Sequence, residues 1–205
     1  SAAILTRPPF ASGAVDVHGA SSSVASVTFT DNSTNEDGFR VERSTDGGGS
    51  WVVAGYAFVD LYWSTGQFDD VGQPSEQQLC YRLIAFNSLG ESPPSNTDCT
   101  LLPRGPTNLT AVGVSPLTVE LAWSDNSAVE DGYEVNAVFY YCSYYDEWGY
   151  CVFEPYYVWI ATLAPNTTSF RHTGLTSGET WTYVVLALSD GGRSDLSNEM
   201  NVTVP

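Results

Sequence analysis

One polar stretch of this chain occurs twice, and that duplication limits the fold to two similar halves. Residues 31–39 read DNSTNEDGF and residues 125–133 read DNSAVEDGY. Each copy lies between two runs that alternate apolar and polar residues, a pattern that predicts a strand, a polar turn and a second strand. Two repeats of about one hundred residues match the usual size of a domain. We therefore predict one domain at residues 1–103 and another at residues 104–205.

The distance between equivalent positions shows where the two copies differ. They lie 94 residues apart at the duplicated turn, 108 apart at Trp51 and Trp159, and 102 apart at Phe68 and Phe170. The second copy therefore carries 14 additional residues before Trp159, and the first carries six between Trp51 and Phe68. Binding residues concentrate on loops held by a constant scaffold, so we expect function to lie in these two insertions.

The pattern of the whole chain predicts β-structure. No window has the period of an amphipathic helix, and Thr, Val, Ser, Gly and aromatic residues dominate. Such a chain is predicted to be all-β, with two sandwiches in line. The predicted strands are 13–17, 24–30, 39–44, 51–54, 68–71, 79–87 and 95–101 in the first copy, and 109–114, 118–124, 132–140, 156–162, 168–172, 180–189 and 197–204 in the second.

Three motifs of the chain are DNSxxEDGFxVERSxDGG from residue 31, AFNSxGxS from residue 85 and SNxxxxT from residue 197. They resemble motifs of bacterial fibronectin type III domains. The resemblance covers both copies apart from the insertions. It implies two tandem seven-stranded Greek-key sandwiches of the immunoglobulin-like kind, which that family uses as spacers, adhesive modules or assembly modules and not as catalysts. Leu79 and Trp181 stand where the family usually has a tyrosine.

The chain is strongly acidic. It has 24 Asp and Glu residues against seven Arg and no Lys, for a formal net charge of −17. A surface of this charge repels nucleic acid and anionic membranes. No apolar run approaches the length of a membrane span. We therefore predict no nucleic-acid partner and no direct insertion into a membrane.

Four cysteines allow three pairings, and their positions favour one of them. Cys80 and Cys99 fall in the two predicted strands that end the first copy, and Cys142 and Cys151 flank a short turn in the second. A zinc site built from all four would need close CxxC pairs, which the sequence lacks. Two disulfides are therefore predicted, which indicates an oxidising compartment and a secreted or cell-surface protein.

The densest aromatic segment is the insertion of the second copy. Eleven of the 21 residues from 139 to 159 are aromatic, and they do not alternate as in a strand that only covers a core. Tyr and Trp rings suit protein interfaces and the faces of sugars. The disulfide would clamp a hairpin near 139–157, although the rings could instead fold back onto their own sandwich. The predicted binding residues are Tyr144, Tyr145, Trp148, Tyr150 and Tyr156, with Tyr62 and Trp63 of the first insertion near 55–66.

Catalytic and metal sites find little support. The two histidines, His18 and His172, lie 154 residues apart, and no hydrolase, metalloprotease or phosphate-binding motif is present. The acids of the duplicated turns could bind calcium, but their spacing is not that of a calcium loop, and Asp, Asn and Ser are common turn formers. We predict no catalytic residue, no metal and no cofactor.

These observations predict a non-enzymatic extracellular protein that acts by contact with a partner. The leading hypothesis is a self-assembling cell-surface or filament subunit, whose aromatic hairpin or apolar arm at residues 2–5 packs on a neighbouring copy. An adhesin or carbohydrate-binding module is the first alternative, with Tyr144, Tyr145, Trp148 and Tyr150 as the stacking platform. A pair of spacer domains from a larger secreted enzyme is the second.

Overall fold

A computed structural model describes residues 7–59, 64–190 and 192–205. The chain divides into two compact units, Ser1–Pro103 with Ser189–Arg193 and Arg104–Leu188 with Ser194–Pro205. Within the described residues the regular structure consists of strands alone, and no helix is long and apolar enough to cross a membrane. The predicted all-β class is therefore confirmed.

The first unit is a sandwich of two antiparallel sheets. One sheet has the order β1-β2-β5, and the other has the order β4-β3-β6, with β7 and β8 both paired to β6. This order requires the chain to pass between the sheets, as in a Greek key. Its strands are β1 Gly13–Ser21, β2 Val24–Thr30, β3 Gly38–Ser44, β4 Val52–Ala57, β5 Thr65–Val71, β6 Gln78–Asn87, β7 Gly90–Glu91 and β8 Asp98–Leu101.

The second sandwich repeats this arrangement. One sheet has the order β13-β10-β9, and the other has the order β12-β11-β14-β15, with β16 also paired to β14. Two of its strands are much longer than their counterparts in the first unit. Its strands are β9 Thr107–Ser115, β10 Thr118–Ser124, β11 Gly132–Tyr145, β12 Cys151–Leu163, β13 Ser169–Thr173, β14 Thr180–Ser189, β15 Gly192–Arg193 and β16 Met200–Thr203.

The duplicated polar turn connects the two sheets of each sandwich. It joins β2 to β3 in the first unit and β10 to β11 in the second, and each pair of strands lies in different sheets. The first carboxylate caps the turn: Asp31 Oδ1 accepts the N–H of Ser33 at 2.8 Å, and Asp125 Oδ1 accepts that of Ser127 at 3.0 Å. The predicted strand, turn and strand are present, and the turn makes a crossover between sheets.

Aromatic pairs close each core at this crossover. In the first unit Phe29 packs on Phe39 with ring centroids 4.9 Å apart, and in the second Trp123 packs on Tyr133 at 5.7 Å. All four rings are buried. One member of each pair comes from the strand before the turn and the other from the strand after it. The buried rings therefore hold the two sheets together.

The predicted strand at 95–101 is wrong in its first part, because β8 begins at Asp98. Just before it, the Ser95 hydroxyl accepts the N–H of Leu83 at 2.9 Å. A side chain therefore takes the place of a backbone acceptor beside β6. Ser197 does the same beside β14 in the second unit.

A buried carboxylate links the two sheets of the first unit. Asp70 of β5 accepts hydrogen bonds from Arg43 Nη1 at 2.6 Å, Tyr81 OH at 2.9 Å and Gln73 Nε2 at 2.8 Å. Burial, with Asp70 close by, raises the pKa of Tyr81 well above its usual range. The phenol therefore stays protonated and remains a donor. Leu79, at the position where a tyrosine was expected, is fully buried and makes no such bond.

We expect the substitution Asp70→Asn to destabilise the first unit by about 3 kcal/mol, because it leaves the partly buried Arg43 without its counter-charge. Tyr81→Phe should cost about 1–2 kcal/mol, since it removes one neutral donor. Thermal unfolding by calorimetry measures both effects. The exposed Asp16 provides a control, because Asp16→Asn should change stability little. Equal losses of stability for D70N and D16N would contradict the role assigned to Asp70.

Candidate functional site

The long hairpin of the second unit extends beyond the sheet to which it belongs. Strand β11 pairs with β14 only as far as Ala137, opposite Tyr183. Its pairing with β12 continues to Tyr145, opposite Cys151. Within the described residues, the outer part of the hairpin is therefore a two-stranded ribbon without a third strand beside it. Residues 139–159 are called the aromatic ribbon below.

A compact turn and a disulfide close the end of the ribbon. Asp146 organises the turn: its carbonyl accepts the N–H of Gly149 at 3.0 Å, and its Oδ1 accepts the N–H of Tyr150 at 2.8 Å. Gly149 has a φ of 81°, which glycine adopts without strain. Cys142 and Cys151 form a disulfide next to the turn. The predicted clamp is confirmed, as is the pairing of Cys80 with Cys99 in the first unit.

Every aromatic ring of the ribbon is exposed to solvent. The exposed fraction ranges from 37% at Phe139 to 75% at Trp148. None of these side chains is buried in the core of its own sandwich, which was the alternative that the sequence left open. The eleven rings are those of Phe139, Tyr140, Tyr141, Tyr144, Tyr145, Trp148, Tyr150, Phe153, Tyr156, Tyr157 and Trp159.

One face of the ribbon is anchored to the sandwich through ring contacts. Phe139 stacks on Tyr156 at 5.4 Å, and Tyr156 contacts Tyr141 edge to face at 6.0 Å. Phe139 also contacts Trp181 of β14 at 5.9 Å. Because Trp181 belongs to the sheet, these contacts fix the base of the ribbon. Ring pairs of this kind contribute about 0.5–1.5 kcal/mol each beyond the area they bury.

The anchoring rings continue into the core. His172 contacts Trp181 edge to face at 5.2 Å, and its Nδ1 shares a hydrogen bond of 2.8 Å with Tyr183 OH. Burial lowers the pKa of His172 and raises that of Tyr183. The neutral forms of both side chains are therefore favoured. His172 therefore has a packing role among these rings.

The opposite face of β12 presents a row of rings. This face carries the rings of Phe153, Tyr157 and Trp159, because residues an even number of positions apart point to the same side of a strand. Tyr157 and Trp159, which are two positions apart, lie about 7 Å from each other along the strand. Trp159 Nε1 donates to Thr162 Oγ1 at 3.1 Å, which restricts the indole. Directly across the ladder from Trp159 lies the buried Asn136. Exposed ring faces therefore lie beside a polar group.

Two carboxylates accept hydrogen bonds from residues of β11 on this face. Asn136 Nδ2 donates to Glu134 Oε1 at 2.8 Å, so the amide next to Trp159 is held in one orientation. Farther along β11, Tyr140 OH donates to Glu199 Oε2 at 2.7 Å, and this bond raises the pKa of Tyr140. The face therefore offers rings together with fixed hydrogen-bond acceptors.

The charge of the ribbon is negative. No Arg or Lys occurs between residues 105 and 170, whereas Asp146, Glu147 and Glu154 all lie within the ribbon. Glu154 Oε2 accepts a hydrogen bond from Tyr141 OH at 3.2 Å. The surface is therefore both aromatic and acidic.

The outer edge of β12 is poorly suited to adding a strand. Pro155 lacks an N–H, and the register shifts between the pairs Val135–Ala161 and Asn136–Trp159. A proline and a bulge on an edge strand are common protections against edge-to-edge pairing. A partner of the ribbon is therefore expected to meet the ring faces and the tip.

Tyr62 and Trp63, which were predicted to bind a partner, lie outside the described residues, so that prediction stays open. Tyr56, also in the first insertion, lines a cleft that the sequence did not indicate. It contacts Phe86 edge to face at 5.9 Å. These two rings line a cleft of about 490 Å³, together with residues of the turn after β6. The cleft was missed because no local motif marks a concavity built from separate strands.

Ion pairs border this cleft. Arg40 donates from Nη2 to Glu91 at 3.0 Å and from Nε to Glu42 at 3.0 Å. These carboxylates raise the pKa of Arg40 above its already high value, with Glu91 contributing most. The cleft therefore combines two rings with a fixed guanidinium.

The first acid of each duplicated turn, Asp31 or Asp125, accepts a backbone N–H of its own turn, whereas Glu130 Oε1 accepts the N–H of Asn166 at 3.1 Å. Burial raises the pKa of Asp31, and the neighbouring Glu36 acts in the same direction. Across residues 7–59, 64–190 and 192–205, no group of three or more His, Cys, Asp or Glu side chains is placed to hold a metal ion.

We expect the two disulfides to differ in what they stabilise. Replacing Cys80 and Cys99 by Ser should destabilise the first unit by about 3 kcal/mol, because a closed loop of this size restricts the unfolded chain. Replacing Cys142 and Cys151 should leave the melting temperature of the second sandwich nearly unchanged and expose the ribbon to proteolysis. Calorimetry and limited digestion measure these effects. A large loss of stability in the ribbon variant would show that the clamp supports the core.

Comparison with known proteins agrees with this architecture. Residues 104–203 match the family model of the fibronectin type III domain. The structure of the FN1–FN3 domains of chicken CNTN1 is similar with a TM-score of 0.52 at 18% identity, over 97% of this chain and 68% of that one. A two-domain fibronectin type III segment of chicken tenascin gives a TM-score of 0.41 at 14% identity, over 97% of this chain and 100% of that one.

No curated protein sequence matches the chain. At 18% identity, the similarity to the CNTN1 structure shows the fold alone. For the first repeat, membership of this family stays a prediction from the resemblance of its motifs. Residues 104–203 therefore match the fibronectin type III domain, and the chain as a whole shares the all-β sandwich fold of the CNTN1 FN1–FN3 structure.

Proposed function

We propose that this protein is a non-catalytic extracellular interaction protein that associates with further copies of itself through the aromatic ribbon. In this proposal it is a subunit of a cell-surface assembly or filament. The observation that carries the proposal is the exposure of all eleven rings on a ribbon that extends past its sheet. The fibronectin type III domain supports it, since that domain typically occurs in extracellular or interaction proteins.

Exposing these rings to water costs free energy that their burial against a partner would recover. Soluble monomers rarely expose contiguous apolar patches larger than a few hundred Å² unless the patch binds something. The ribbon contributes nothing to the core beyond its base, so stability does not explain its composition. Its turn and disulfide restrict the tip before binding, which reduces the entropy lost when a partner is engaged.

The compartment and the charge fit this role. Two disulfides persist where the surroundings are oxidising, which supports an extracellular or cell-surface location. Copies that each carry a formal charge of −17 repel one another at low ionic strength. Salt screens that repulsion, with a Debye length of about 8 Å at physiological ionic strength. Self-association is therefore expected to strengthen as salt is added.

Carbohydrate binding is a second candidate, and one observation favours it. Trp159 is held by Thr162 with most of its ring exposed, and the fixed pair of Asn136 and Glu134 lies beside it. Sugar rings are bound by aromatic faces together with hydrogen-bond acceptors for their hydroxyl groups. In this role the protein would be an adhesin or a carbohydrate-binding module, and the row on β12 would be the platform.

Self-association is tested by replacing Trp148 and Tyr150 with Ala. Central aromatic residues often contribute 2 kcal/mol or more to an interface, so we expect at least a ~30-fold weaker association constant. Sedimentation velocity and electron microscopy over a concentration series measure it. Val112 is also exposed, at 56%, on the other sheet of the same unit, and Val112→Ala should assemble like the unmodified protein. An unmodified protein that stays monomeric at every concentration and salt would overturn the proposal.

Carbohydrate binding is tested by affinity electrophoresis in gels that contain neutral polysaccharides. We expect Trp159→Ala to lose the retardation shown by the unmodified protein, because it removes the stacking face. Val112→Ala, which changes an exposed residue on the other sheet of the same unit, is the control and should be retarded normally. Equal mobility of the unmodified protein with and without every polysaccharide would exclude this candidate.

A further inference from the structure

We propose that the tip of the ribbon of one copy seats in the cleft beside β4 and β6 of a second copy. This inference rests on the proposed self-association and specifies its geometry. The contact joins two different surfaces, a projecting tip in the second unit of one copy and a concave site in the first unit of the other. The tip consists of residues 144–150, and the cleft is the one that contains Tyr56 and Phe86.

The tip has the form of a rigid projection. Tyr145, Trp148 and Tyr150 are the most exposed rings of the ribbon, at 70%, 75% and 73%. Hydrogen bonds to Asp146 hold the backbone of Trp148 and Tyr150, and the disulfide lies directly behind them. The backbone that carries these rings therefore loses little freedom when a partner covers them.

The cleft has the size and the lining to receive such a tip. Its volume of about 490 Å³ lies within the roughly 300–1,000 Å³ of pockets that hold small organic molecules. Tyr56 and Leu89 are each about half exposed, at 54% and 50%. A surface with half-exposed apolar side chains around a concavity gains free energy when another apolar group fills it.

Charge favours this pairing over contact between two ribbons. Two ribbons would bring together Asp146, Glu147 and Glu154 from both copies with no basic residue from either. At the cleft, Arg40 pairs with Glu91 and Glu42, and Arg82 also pairs with Glu42, so two cations accompany two carboxylates. An acidic tip is therefore repelled less at the cleft than at a second ribbon.

The area that this contact would bury approaches that of a small specific interface. An aromatic side chain buries about 150–250 Å² when it is covered, so three rings together with the surface they meet approach the roughly 1,200 Å² of the smaller specific interfaces. Because tip and cleft are different surfaces, each copy keeps one of each free after the first contact. Contacts of this kind are head to tail and extend into open filaments or rings, whereas a contact between two ribbons would stop at a dimer.

The test uses one variant for each surface in the full chain. The tip variant is W148A/Y150A, and the cleft variant is L89E, which places a carboxylate against the incoming acidic tip. Val52, exposed to 55% on β4 outside the cleft lining, gives the matched control V52E. Circular dichroism and the titration of free thiols check that each variant folds and keeps its disulfides. If L89E fails to fold, Tyr56→Ala takes its place.

We expect each surface variant alone to be monomeric at concentrations where the unmodified protein and V52E assemble, with at least a ~30-fold weaker association constant. An equal mixture of the two variants should form heterodimers and nothing larger, because only one intact tip and one intact cleft remain. Sedimentation velocity measures the masses.

The other outcomes separate the two proposals. If the cleft variant assembles normally and only the tip variant fails, the cleft inference is wrong and ribbon self-association stands. A mixture that stays monomeric would also overturn the cleft inference. If both variants assemble like the unmodified protein, the ribbon is not the interface and the proposed function fails as well.

Discussion

The fold of each repeat depends on the burial of one aromatic pair across a crossover between sheets. Phe29 and Phe39 form that pair in the first unit, and Trp123 and Tyr133 form it in the second. The polar turn between them can leave one sheet and enter the other because its carboxylates accept the backbone N–H groups that no strand satisfies. Closure of the core therefore requires both an apolar pair and a polar turn, which explains why these parts recur together.

Once the core is closed, the rest of a strand is free to serve another purpose. The buried positions of β11 end near Val138, and its pairing with β14 ends at Ala137. Beyond that point no residue has to alternate between core and solvent, so rings can occupy both faces. The anchoring contact of Phe139 with Trp181 keeps the base in place, and the disulfide restrains the tip. The ribbon is thus an extension of a stable sheet and not a loop that must order on binding.

The few arginines serve mainly structural roles in the first unit. Arg43 pairs with the buried Asp70, and Arg82 pairs with Glu42 while its guanidinium lies 4.2 Å from the centroid of the Trp51 ring. The second unit has no cation between residues 105 and 170. This uneven distribution gives the chain an acidic aromatic surface in one unit and a charge-balanced cleft in the other, and the proposed head-to-tail contact depends on that difference.

The sequence alone determined the features that depend on local pattern and on repetition. The strands 24–30, 118–124 and 180–189 have the predicted bounds, and the confirmed disulfides follow from strand adjacency and a short turn. Alternation and turn chemistry act over a few residues, so they can be read directly. The tertiary structure decided where pairing stops, which rings stay exposed, and that separate strands enclose a cleft. These features depend on contacts between residues far apart in the chain, such as Asp70 with Arg43, and no local pattern encodes such contacts.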